Sequence, residues 1–259
     1  MLPALDAAFA PMAAEVGASW TTPKMAVFGT KPPKNPCHQA GDGGVAGSFY
    51  CAGNDTVYLS TWEADGVTRD YVREARKVHG VLEADARQAG VPVSTLRKGR
   101  PGQGQATIEA HEMAHHLLVA AGVQAWFDQR ADKATPGTLR YDAYGFAPET
   151  AADCLSGAAL REAQRQGRVR MNPFDLWASR AWLAQTDPFN PEVPKSSPFR
   201  YRNAWKGKQY RGYGGAYWRL KAFDLGWSTG APGAVDRCVS AAARWKGLST
   251  WPGIEQLPR

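Results

Sequence analysis

Apolar residues recur along this chain with a helical period in several separate stretches. Leu2, Leu5, Phe9, Met12 and Val16 step by three or four, which gathers them on one face, so residues 1–20 are expected to open the chain with an amphipathic helix. Tyr71, Ala75, Val78, Leu82 and Ala86 predict another between Thr68 and Gln88. A third runs from about Thr107 to Ala121. A loop is expected around residues 130–147, and the next helix opens near Pro148 and Glu149, where a proline lacking its N–H does no harm. Residues 173–186 (PFDLWASRAWLAQT) read as helical, and AYWRLKAFDLG (Ala216–Gly226) as the last good helix. The contrasting period is confined to TVYLSTW (Thr56–Trp62), β-branched and aromatic after turn residues, which reads as a strand. Residues 21–56 are rich in Gly, Pro and Asn and read as irregular. Residues 187–216 form an aromatic, basic, Pro/Gly-containing insertion. Neither an internal repeat nor an interdomain linker stands out, so the pattern gives one α+β domain over residues 1–259, mainly helical with a small β-sheet.

Composition narrows the setting. With 44% hydrophobic and 21% charged residues the 259-residue chain can bury a substantial core. No apolar run approaches the roughly 18–20 residues of a membrane span. The first nineteen residues do not make a signal peptide, because Asp6 and Pro11 interrupt them and no basic residues lead. The net charge of +7 suits an acidic partner such as an anionic cell-wall polymer, although many secreted proteins are simply basic. No motif or basic block indicates specific nucleic-acid binding. The four cysteines, Cys37, Cys51, Cys154 and Cys238, contain no C-x-x-C and allow three pairings. Their even number suggests disulfides and an oxidising compartment, with four buried thiols as the plainer alternative.

The chemistry concentrates in AHEMAHHLLVAAG (residues 110–122), which holds three of the five histidines. On a helix His111 and His115 stand on one face and can present two imidazoles to one metal ion. Glu112 is offset about the axis, able to take a proton from a metal-activated water without occupying a ligand position. His116 points about 100° away from His115 and reads as a supporting or packing histidine. A third protein ligand is needed, and Glu149 in ETAADC is the best candidate. Asp153, one turn on, could accept the second N–H of a ligating histidine and fix its tautomer. The plainer alternative for this acidic pair is a solvated helix start.

These motifs resemble the bacterial neutral zinc metallopeptidases, in which an H-E-x-x-H-H helix precedes E-L-Q-A-D-C. The matching residues are His111-Glu112-Met113-Ala114-His115-His116 and Glu149-Thr150-Ala151-Ala152-Asp153-Cys154, with Gly47–Ala52 and Val57–Ser60 resembling an upstream family motif. The resemblance covers residues 35–160 well and 210–240 more loosely. It implies a zincin-like fold, one Zn2+ held by His111, His115 and Glu149, and Glu112 as catalytic base. It further implies Cys37–Cys51 and Cys154–Cys238 bridges and action outside the cytoplasm, so a signal or anchor segment is expected outside these residues. The strand at Val57, Tyr58, Leu59 and Ser60 would then be the sheet edge along which an extended substrate lies. Two departures stand out. Gly212-Tyr213-Gly214 occupies the place of a family Thr-His-Gly, so Tyr213 would stabilise the oxyanion through its phenol, unless it is a structural tyrosine. Residues 165–210 match nothing expected.

The leading expectation is a zinc-dependent endopeptidase acting on a peptide or protein substrate. Two alternatives differ in class. One is a catalytically silent, zinc-stabilised module that binds a cell-wall or other anionic polymer through WKGKQYRGYGGAYWR. The other is an amidase acting on peptidoglycan stem peptides.

Overall fold

A computed structural model describes residues 2–37, 47–61, 103–134, 139–171, 216–248 and 251–257, with residues 63, 176, 179, 182 and 183. The expected helix over Thr68–Gln88, most of the 187–216 insertion and Tyr213 lie outside the described residues. What is described is α+β and mostly helical: six α-helices and one three-stranded sheet.

Helix α1 (Leu2–Glu15) forms where the apolar period places it and buries Leu5, Phe9 and Met12 completely. The stretch that follows, expected to be irregular, holds a strand, β1 (Lys24–Phe28). Its five residues are too short to show a clear alternation between the flanking Pro and Gly residues. Strands β2 (Phe49–Cys51) and β3 (Thr56–Ser60) form a hairpin, with Asp55 at φ 51° in the turn, a conformation Asp tolerates better than most residues. The sheet order is β1-β3-β2: β1 runs parallel to β3 with Met25 opposite Val57, and β2 antiparallel with Tyr50 opposite Val57. Every residue of β3 is buried.

This order corrects the expectation for Val57, Tyr58, Leu59 and Ser60. β3 is the central strand, and its main chain pairs with β1 on one side and β2 on the other. It has no open edge for a substrate. Continuous burial, rather than alternation, is the mark of a strand enclosed on both faces and both sides.

Helix α2 (Gln103–Ala120) carries the histidines, and α3 (Val123–Ala131) follows after a turn at Gly122, φ 72°. Helix α4 (Leu139–Arg165) begins nine residues before Pro148, inside the span expected to be loop. Ala143, Ala147, Ala151 and Leu155 make one buried stripe through the proline. That burial outweighs the hydrogen bond and the fit that an internal proline costs, a local penalty of about 3 kcal/mol in an exposed helix. Helix α5 (Ala216–Thr229) crosses α4 at very short range. A Cβ on Gly226 would run into the Cys154 carbonyl, and one on Gly157 into the Phe223 carbonyl. Helix α6 (Ala234–Trp245), a helix beyond the expected last one, buries Val235, Cys238, Val239 and four alanines.

Two disulfides lock these elements. Cys37–Cys51 (Cα–Cα 5.7 Å) ties the Pro-rich segment to β2, and Cys154–Cys238 (5.6 Å) ties α4 to α6. Both fit an oxidising, extracytoplasmic setting. Among the described residues no helix is long and apolar enough to cross a membrane.

Candidate metal centre

The buried face of α2 aims His111 and His115 toward the middle of α4, where Glu149 stands. His111 Nε2 lies 3.1 Å from His115 Nε2 and 3.2 Å from Glu149 Oε2, while His115 Nε2 lies 3.5 Å from Glu149 Oε1. Three ligand atoms bonded tetrahedrally to one ion at 2.0–2.2 Å would be separated by about 3.3–3.5 Å. The two imidazole nitrogens and the Glu149 carboxylate approach that spacing, with a different carboxylate oxygen nearest each histidine, and these three residues can hold a metal ion.

Two imidazole nitrogens facing each other at 3.1 Å cannot both present lone pairs, so either an N–H hydrogen or a metal ion lies between them. The surroundings agree. Burial opposes a charge on His111, yet Asp153, Glu149 and Glu112 outweigh it and raise the imidazole to about 10. Burial likewise resists ionising Glu149, but His115 and His111 hold its carboxyl well below the usual range. In the metal-free chain a proton occupies the place a cation would take.

The support behind His111 is a relay of charged groups. His111 Nδ1 lies 2.9 Å from Asp153 Oδ1, off the straight line of an ideal hydrogen bond but close enough for an ion pair. Asp153 is fully buried and receives Arg219 at both oxygens, Nε to Oδ2 at 2.7 Å and Nη2 to Oδ1 at 2.8 Å. Burial works against the Asp153 charge, and Arg219, with His111, pulls its pKa below the ordinary value. With Nδ1 turned to a carboxylate, Nε2 is the ring nitrogen left to face the metal position. The close α4–α5 crossing permitted by Gly157 and Gly226 is what brings Arg219 onto Asp153.

Glu112, 5% exposed, lines an open cleft of about 520 Å³ beside the triad. Burial raises its pKa. It forms no hydrogen bond or ion pair among the described residues. The far wall is the β2 rim, Gly47 to Ala52, and Trp182 closes one end with its ring edge-on to His111 at 5.6 Å.

His116 does not support the triad. Its Nε2–H donates to the Thr21 carbonyl at 2.8 Å, its Nδ1 lies 2.9 Å from the Tyr50 hydroxyl and 3.0 Å from Asp55, and Trp20 packs edge-on against it. It fastens α2 to the α1–β1 connection and the hairpin, so of its two expected roles packing is the one observed. Arg219, Glu63 and Trp182 join the site without having been expected from the sequence. Arg219 has a weak signal, as an arginine in an otherwise apolar helix stripe; the other two have none. No protein-family model, curated protein or solved structure matches the chain.

Proposed function

We propose that this protein is a zinc-dependent peptidase, an endopeptidase of zincin-like design that acts outside the cytoplasm. The observation that carries the reading is the convergence of His111, His115 and Glu149, with contacts of 3.1, 3.2 and 3.5 Å, beside a buried Glu112 that has no partner among the described residues and lines an open cleft. Two imidazoles and one carboxylate with an open fourth position suit zinc better than a hard cation, which prefers oxygen ligands throughout. Bound there, zinc would supply a Lewis acid and an acidified water.

The chain's own residues account for the rest. Asp153 holds the His111 proton on Nδ1, and Arg219 keeps Asp153 ionised. Glu112 accepts the proton of the attacking water and returns it to the departing amine. Its burial raises its pKa and so makes it a stronger base than an exposed carboxylate. Among the described residues β2 lies at an edge of the sheet and along the cleft, a placement that suits strand pairing with an extended peptide.

Metal analysis and proteolysis of a peptide mixture test the reading. One zinc per chain is expected, with activity lost on chelation. Glu112→Gln should keep the zinc and lower kcat by at least a hundredfold, the lower end of what a positioned proton-transfer group contributes. A protein that still cleaves peptides at the parent rate with Gln at this position does not use Glu112 as its base.

A further inference from the structure

The cleft is acidic although the chain as a whole is basic. Among its described lining residues are three carboxylates, Glu63, Glu112 and Glu149, against Arg219, which is already committed to Asp153, and His111, which stands at the metal position. A divalent ion on the triad would offset Glu112 and Glu149. Glu63 is then left over.

Glu63 is held firmly. Its Oε2 accepts the Ser48 backbone N–H at 2.6 Å and its Oε1 accepts the Trp182 indole N–H at 3.3 Å. Both donors are neutral, so they orient the carboxylate without cancelling its charge, and each oxygen keeps a second lone pair. No ion pair to Glu63 exists among the described residues. A Cβ on Gly47 would stand 3.4 Å from Oε2, so the glycine adds no side chain against that oxygen. The buried Glu112 on the same cleft, without a partner among the described residues, marks this as a place built for a ligand rather than a patch of surface acids.

We propose that Glu63 is a specificity-determining residue that receives a cationic group of the peptide substrate, an ammonium or guanidinium, beside the scissile bond. The inference rests on the peptidase reading and names the substrate class for that site. A charge-assisted hydrogen bond in a partly buried cleft makes a cationic ligand bind about tenfold or more tighter than a neutral one of the same shape.

The test is calorimetric binding to zinc-loaded Glu112→Gln protein, which leaves the peptide uncut. Peptides carrying Lys or norleucine at successive positions, each with a free or an acetylated amino terminus, tell a side chain from an α-ammonium as the source of charge. A preference of about tenfold for one cationic form is expected, weakening as salt is raised. Adding Glu63→Gln should collapse that ratio to near one. Equal affinity for all forms overturns the proposal, as does an equal loss of cationic and neutral ligands in Glu63→Gln, which would make Glu63 only a brace for Ser48 and Trp182. If Glu63→Gln does not fold, the lysine-to-norleucine and free-to-acetylated ratios in the Glu112→Gln protein still decide. Failure of the peptidase reading shows separately, as a parent protein that holds no zinc or cleaves no peptide.

Discussion

Replacing Arg219 by Met should damage both stability and the metal centre, and by amounts the structure allows one to work out. Asp153 is fully buried and Arg219 only 2% exposed, and the pair is joined by two short hydrogen bonds at 2.7 and 2.8 Å. Met keeps most of the apolar volume of the stem but removes the charge and both donors. Asp153 is then left ionised in the interior with His111 alone beside it. Removing one partner of a buried pair costs about 3–5 kcal/mol. In a chain of this size each kcal/mol moves Tm by about 2–4 °C, so a fall of roughly 6–20 °C is expected for the metal-free protein. A second effect follows through His111, whose ring orientation depends on Asp153, and metal affinity should fall about 10- to 100-fold. Thermal melts of the metal-free protein and competition with a chromophoric chelator measure the two effects separately. In a double-mutant cycle, Asp153→Asn with Arg219→Met should cost less than the sum of the single changes, because neither charge is left alone. The reasoning fails if Arg219→Met costs under about 1 kcal/mol, far below the loss of a buried partner, and leaves metal affinity unchanged.

Two glycines should respond in opposite ways to alanine. Gly226→Ala puts a Cβ into the Cys154 carbonyl and, by overpacking, should cost about 1–3 kcal/mol or more in urea melts, whereas Gly145→Ala meets nothing within 4 Å inside helix α4 and should gain about 0.5–1 kcal/mol. Among the histidines, His116→Ala should retain one bound metal by elemental analysis while losing about 1–3 kcal/mol, since its ring nitrogens are spent on Thr21, Tyr50 and Asp55; His115→Ala should abolish metal binding. Serine in place of Cys154 and Cys238 should cost about 4–5 kcal/mol, and in place of Cys37 and Cys51 about 3 kcal/mol, because the first bridge closes an 84-residue separation and the second only 14; equal losses in denaturant would count against the chain-entropy account.

Much of the centre is legible in the sequence because it depends on local geometry. The four-residue step between His111 and His115 fixes a common helical face wherever the helix sits, and the offset of Glu112 follows from the same 100° turn. Glu149 and Asp153 share a face of α4 for the same reason. The strongly periodic helices α1, α2 and α5 are likewise readable in advance. Local signals fail where packing overrides them. Pro148 looks like a helix start, yet a buried alanine stripe carries α4 straight through it. β1 is hidden in a Gly/Pro-rich stretch because a five-residue strand needs its partner β3 to exist at all.

The sequence by itself determined the donor types, their spacing on two helices, the carboxylate of Glu112 between the two histidines and the basic charge of the chain, since each is a property of residues close along the backbone. Only the tertiary structure decided that α2 and α4 bring their donors within 3.5 Å, that β3 is central with β1 and β2 on either side, and that His116 is spent on packing. It alone recruited Arg219, Trp182 and Glu63 from distant segments. The physical reason is that a charge buried beside a metal position is tolerable only with a partner, and which partner arrives depends on how closely two helices can cross. Here two glycines, Gly157 and Gly226, set that distance.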